Sequence, residues 1–147
     1  MTISLTKLNK RIIKCSKCER LVNFRNEIAI KKRKQYLHQK YWGKPITGYG
    51  DPNAQILMIG LAPAAHGGNR TGRVFTGDQS SDFLFKCLFK AGLSNQSSSS
   101  HREDGLKLFN LYLTTALKCV PPSDKPTSAE LKNCSFYFKK ENQFLDK

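Results

Sequence analysis

The sequence predicts an α/β fold with a parallel sheet, and three observations carry that prediction. Two apolar runs of strand character, QILMIG at 55–60 and LFNLYLTTALKC at 108–119, stand far apart in the chain. Between them lies an amphipathic stretch, SSDFLFKCLFKAGL at 80–93, and further helical segments precede the first run and follow the second. The order therefore reads helix, strand, helix, strand, helix, and a strand that returns through a helical crossover pairs in parallel. At 147 residues the chain is read as one domain, 1–147, with 1–40 an N-terminal helical region. Two strands do not complete such a sheet, and no third follows the last helix, so the sheet is expected to be unfinished.

Each element has its own justification. Residues 4–34 read as helical, carry Cys15 and Cys18, and end in the basic run KKRK at 31–34, a solvated face. YWGKPITGYGDPNA at 41–54 is loop, broken by Pro45, Gly48, Gly50 and Pro52. QILMIG has the short, continuous apolar character of a buried strand. The helix over 80–93 takes Ser80 as its N-cap and Gly92 as its end. Its stripe of Phe83, Leu84, Cys87, Leu88 and Ala91 is expected to face the core, which makes Cys87 a core residue. SNQSSSSHREDG at 94–105 is a polar, low-complexity loop, 108–119 is a second buried strand, and VPPSDKP at 120–126 is a turn. TSAE at 127–130 has the spacing of a capping box and opens the last helix, which runs into ENQFLDK.

Charge narrows the partners. Twenty-five Lys and Arg against eleven Asp and Glu give +14 and an isoelectric point near 9.8. That excess favours a polyanion, nucleic acid or an anionic membrane surface, against the simpler reading of a lysine-rich composition. There is no run of eighteen apolar residues and therefore no expected membrane span. The N-terminus lacks an apolar signal core and a cleavage site, so the chain is expected in the cytoplasm. Five cysteines in that reducing compartment point to metal binding, catalysis or burial rather than disulfides.

Cys15 and Cys18 form C-x2-C, and Cys119 and Cys134 form C-x14-C. Four thiolates suit an iron–sulfur cluster or a structural zinc, although a zinc ribbon would place its second pair closer together. Burial as small apolar residues is the alternative. The other notable stretch is GLAPAAHGGNRTGRVFTGD at 60–78. Its apolar residues follow no helical or strand period, which excludes it from the core. Its glycines allow backbone to approach a ligand closely, and Arg70 and Arg73 suggest an anionic ligand.

These motifs together resemble the iron–sulfur uracil-DNA glycosylases, above all the type-5 (family 5) branch. The resemblance is carried by CSKCERLV at 15–22, YWGKPITGYGDPNAQILMIGLAPAAHGGNRTGRVFTGD at 41–78, LKCVPP at 117–122 and ELKNC at 130–134. It implies a three-layer fold around a parallel sheet and a structural [4Fe–4S] cluster on Cys15, Cys18, Cys119 and Cys134. The implied reaction is excision of uracil, and of other deaminated bases, from single- or double-stranded DNA. Such an enzyme flips its nucleotide out of the stack and hydrolyses the N-glycosidic bond. By the same resemblance Phe75 stacks on the flipped base, and Gly60, Leu61 and Ala62 form the pocket wall. Gly67, Gly68, Asn69, Arg70, Thr71 and Arg73 contact the substrate and its phosphates. Asp78 orients the attacking water, with a helix cap as its competing role, and His66 hydrogen-bonds base or phosphate.

The match has two departures. Thr115 stands where related enzymes carry an Asn that reads the uracil edge, and a hydroxyl cannot make the paired contact of an amide. The family also continues past the fourth cysteine, with further strands and a histidine motif near HPS. None of His38, His66 and His101 lies in such a motif. The C-terminal part of the fold is therefore expected to be missing, with a poor glycosylase as the result unless a separate fragment supplies it. Competing functions are a remnant that binds DNA without chemistry and an unrelated zinc or iron–sulfur module with a basic face.

Overall fold

The computed structural model describes residues 4–145. Expectations about the extreme N-terminus, and about Asp146 and Lys147 in the last helix, lie outside those residues. Helix α1 covers Leu5–Ile13 and α2 covers Glu19–Lys31. The predicted N-terminal helical region is thus two helices, with Cys15 and Cys18 in the turn that separates them. A short strand β1 (Tyr49–Gly50) and β2 (Ile56–Gly60) follow. A four-residue helix α3 (Gly68–Thr71) lies in the glycine-rich loop, ahead of α4 (Gln79–Lys90), β3 (Leu111–Thr115) and α5 (Ser128–Leu145).

The sheet order is β1-β3-β2. Strands β2 and β3 run parallel, from Ile56 opposite Leu111 to Gly60 opposite Thr115, and β1 joins the other side antiparallel. The parallel pair predicted from the helical crossover is present. The antiparallel strand was not foreseen, because Gly50 and Pro52 mark 41–54 as loop and a two-residue strand has no periodicity to detect.

All five residues of β3 are buried, and they alternate between two layers. Leu111 and Leu113 pack with Ile46, Val74, Phe85, Leu88 and Leu108 on the α4 side. Thr114 turns to the opposite face, where its hydroxyl meets Glu141 of α5 at 2.9 Å. There α5 packs on α1 through Tyr137, Leu8 and Ile12. Helix α4, the sheet, and the α1–α5 pair make three layers.

Several sequence expectations are corrected. β2 is an edge strand rather than a buried one: Ile56 and Ile59 are 40% and 50% exposed. The second strand is confined to 111–115, because the chain beyond it turns to bring Cys119 inward. Helix α4 is capped by Asp78, not Ser80, and buries Ser81, Phe85 and Leu88. Cys87, Phe83 and Ala91, expected in the core, are exposed. Gly92 does end that helix, with φ +75°. The capping box of α5 forms as expected, Thr127 N–H donating to Glu130 and Glu130 N–H to the Thr127 hydroxyl. Finally, the 60–78 loop is not excluded from the core, for Val74 is 1% exposed within it.

Candidate active site

The site is built at the carboxyl ends of β2 and β3, where open α/β sheets place their ligands. Pairing continues past the strands: Ala116 N–H donates to Gly60 O and Leu117 N–H to Leu61 O, both at 2.9 Å. Gly60 must be glycine, because a Cβ there would lie 2.7 Å from Cζ of Phe75. Phe75 adopts φ +50°, a conformation bulky side chains rarely take and one that clusters at functional sites. Its ring is half-buried against Gly60 and the core, while Leu61 is exposed and Ala62 packs towards the cysteines. The methyl of Thr115 lies on the same glycine, and its buried hydroxyl has no hydrogen-bond partner.

Asp78 and His66 line a common cleft with Ala64, Ala65, Gly67 and Gly77. Oδ1 of Asp78 accepts the Ser81 N–H at 2.8 Å and the Ser81 hydroxyl at 2.6 Å, which is the N-cap of α4. Oδ2 lies over Gly67, where any side chain would collide with it. Cap and cleft carboxylate are therefore two oxygens of one residue. His66 Nδ1 is 2.8 Å from the Tyr41 hydroxyl, whose oxygen already accepts the Arg33 N–H at 3.1 Å. When the Tyr41 hydroxyl donates to Nδ1, His66 carries its own proton on Nε2. Burial lowers the His66 pKa, and Arg33 and Arg70 act in the same direction, so the ring is neutral.

The arginines and Asn69 turn inward. Arg70 donates to His66 O, Gln39 and Gly77 O at 2.6–2.7 Å and stacks on Tyr36. Arg73, 9% exposed, is committed to Asp104, Ser99 and Thr76. Asn69 is fully buried and donates to Arg25 O. All three groups staple the loop from inside. Thr71 does likewise, its hydroxyl bonded to Gly67 O. Tyr41 and Tyr36 were missed by sequence reasoning, since nothing local ties them to a loop 25 or more residues away. Ser99 and Asp104 were missed because their segment is low in complexity.

The four predicted cysteines converge. Cys15, Cys18, Cys119 and Cys134 line one pocket with Leu21, Val22, Pro45 and Tyr137. No carboxylate or imidazole shares that lining. Burial pushes the Cys119 thiol up to about 12 against the pull of Arg25, and burial also raises Cys134. Neutral buried thiols of this kind release protons when a metal takes them. Among the described residues no three such side chains are gathered for a single ion. A donor set of cysteine alone is of the kind that suits an iron–sulfur cluster or a structural zinc.

Residues 47–147 match the family model of the uracil DNA glycosylase superfamily. The chain belongs to that superfamily. It is 48% identical over 131 residues to a type-5 uracil-DNA glycosylase from Pyrobaculum aerophilum, covering 89% of this chain and 57% of that protein. It is 45% identical over 138 residues to a type-5 enzyme from Mycobacterium leprae, covering 94% and 60%, respectively. A third, from Thermus thermophilus, is 50% identical over 121 residues, covering 82% and 54%. This superfamily member thus spans a little over half the length of these curated relatives.

Proposed function

We propose that this chain carries the uracil-excising site of a base-excision-repair glycosylase of the type-5 kind. The observation that carries the reading is the pairing of Asp78 with neutral His66 across one cleft at the sheet's carboxyl end. The net charge of +14 supports DNA as the partner.

Chemically, hydrolysis joins a water oxygen to the sugar C1′ and breaks the bond to the base. The bonding pair leaves with the base, which becomes an anion. Asp78 Oδ2, unused by the cap, holds the water and draws its proton as charge builds on the sugar. His66 donates Nε2–H to the departing anion, held in that tautomer by Tyr41. A neutral donor suits this role, since it needs no prior protonation. Phe75, half-buried against Gly60 beside that cleft, is the aromatic ring that stacks on the flipped base, while the buried Thr115 hydroxyl lies beneath them and does not line the cleft. Arg70 and Arg73 act on the substrate only through the loop they hold.

Cys15, Cys18, Cys119 and Cys134 are the residues that would hold a [4Fe–4S] cluster. When bound, the cluster supplies structural cross-links, joining the α1–α2 turn to the end of β3 and to α5. The test is incubation of the iron- and sulfide-loaded chain with a labelled uracil-containing oligonucleotide, followed by alkaline cleavage. Strand cleavage in the wild type that disappears in Asp78→Asn is the expected result. A loaded, folded chain that binds the oligonucleotide without releasing uracil overturns the reading in favour of DNA binding alone.

A further inference from the structure

Arg25 lies two helical turns after Cys18 on α2, within hydrogen-bond reach of the Cys15 carbonyl. It is 8% exposed. The other buried cations have carboxylate partners: Arg73 has Asp104, and Lys118 has Glu141. Among the described residues Arg25 has no such partner. Its NH1 donates to Gly43 O at 2.8 Å and to the Asn26 side chain at 3.2 Å. Its NH2 reaches Cys15 O at 3.4 Å, and its buried Nε has no partner at all. A buried charge satisfied only by neutral groups is strongly unfavourable, so an anion is missing from this account. Lys118, which lines the cysteine pocket, already has Glu141, so the negative charge left for Arg25 is that of cysteine. Cys15, one of the four, is tied to Arg25 through its backbone carbonyl. Four thiolates around an iron–sulfur core form a net negative centre in a low-dielectric pocket.

We propose that Arg25 is the counter-cation of the cysteine centre, a positioning residue that offsets the thiolate charge and orients the Cys15 backbone. The proposal rests on the cluster reading above. It predicts opposite effects in two states of the full chain. With thiols protonated and no iron bound, Arg25→Met relieves an uncompensated charge, so its melting temperature equals or exceeds that of the wild type. With iron and sulfide loaded anaerobically, the same variant melts below the wild type and retains several-fold less iron. Its cluster midpoint potential also shifts negative, because removing a nearby cation disfavours adding an electron. Arg25→Lys, which keeps the charge, falls between the two. Equal losses of stability in both states, or wild-type iron content and potential in Arg25→Met, overturn the proposal and leave the cluster reading intact. If Arg25→Met does not fold, Arg25→Lys decides alone: near wild-type iron content sustains the proposal, and loss of iron overturns it. A wild-type chain that takes up no iron overturns the cluster reading itself and this inference with it.

Discussion

Asp78 divides its two oxygens between helix and cleft, and that division makes its substitutions informative. Asparagine is as good an N-cap as aspartate but cannot draw a proton from water. Asp78→Asn should therefore keep the melting temperature of the wild type and lose uracil release. Asp78→Ala should lose both, with a stability cost of about 1 kcal/mol for the cap. If Asp78→Asn excises uracil at the wild-type rate, the carboxylate is only a cap. Asp104 carries the other residue-scale prediction. Burial works against its ionised form, yet the Arg73 hydrogen bond and the Ser100 and Leu106 amides prevail and hold the carboxyl at about 2, well below the usual carboxylate range. A depressed carboxyl stabilises the fold fully above its unfolded pKa and loses that contribution as pH falls through the folded one. Acid unfolding should thus steepen between about pH 4 and pH 2. Asp104→Asn should remove that limb and cost about 3–5 kcal/mol at neutral pH by stranding Arg73 in the interior. An unchanged acid profile in Asp104→Asn would sink the assignment.

Among the long helices, α5 was the most legible in the sequence and the buried face of α4 the least. The reciprocal bonds of Thr127 and Glu130 are purely local, so TSAE announced them, and Glu130 then reaches α2 through Arg20 at 2.6 Å. Thr127→Ala should cost about 1 kcal/mol, read as a melting temperature lowered by about 4 °C. No change would mean that Glu130 and Arg20 hold the helix start unaided. Helix α4 carries Phe83, Leu84, Phe85, Cys87, Leu88 and Phe89 almost all the way round. Two stripes compete in such a sequence, and the choice belongs to the neighbours. Val74 and Leu113 select the face of Phe85 and Leu88 and leave Phe83 and Cys87 outside. The edge position of β2 was hidden for a related reason, since a strand of residues ILMIG reads alike at a centre or an edge.

For the whole molecule, charge makes the clearest prediction. A chain at +14 that neutralises six or more phosphates should lose about a thousandfold in duplex affinity between about 50 and 200 mM salt. Affinity indifferent to salt would remove DNA from the proposed partners. The described helices include none long and apolar enough to cross a membrane. By itself the sequence determined the α/β order, the parallel pair β2–β3, and, through its motifs, the likeness that groups the four cysteines and places the chain in the superfamily. Those features rest on local periodicity, caps and motif spacing, all carried by neighbouring residues. The tertiary structure alone decided that Arg70, Arg73 and Asn69 brace the loop from inside, that the Tyr41 hydroxyl stands against His66 Nδ1, and that Arg25 is buried against the Cys15 carbonyl without a carboxylate. Each depends on partners distant in the chain, and a side chain's charge or amide shows what it can bond, not which group the fold will bring to it.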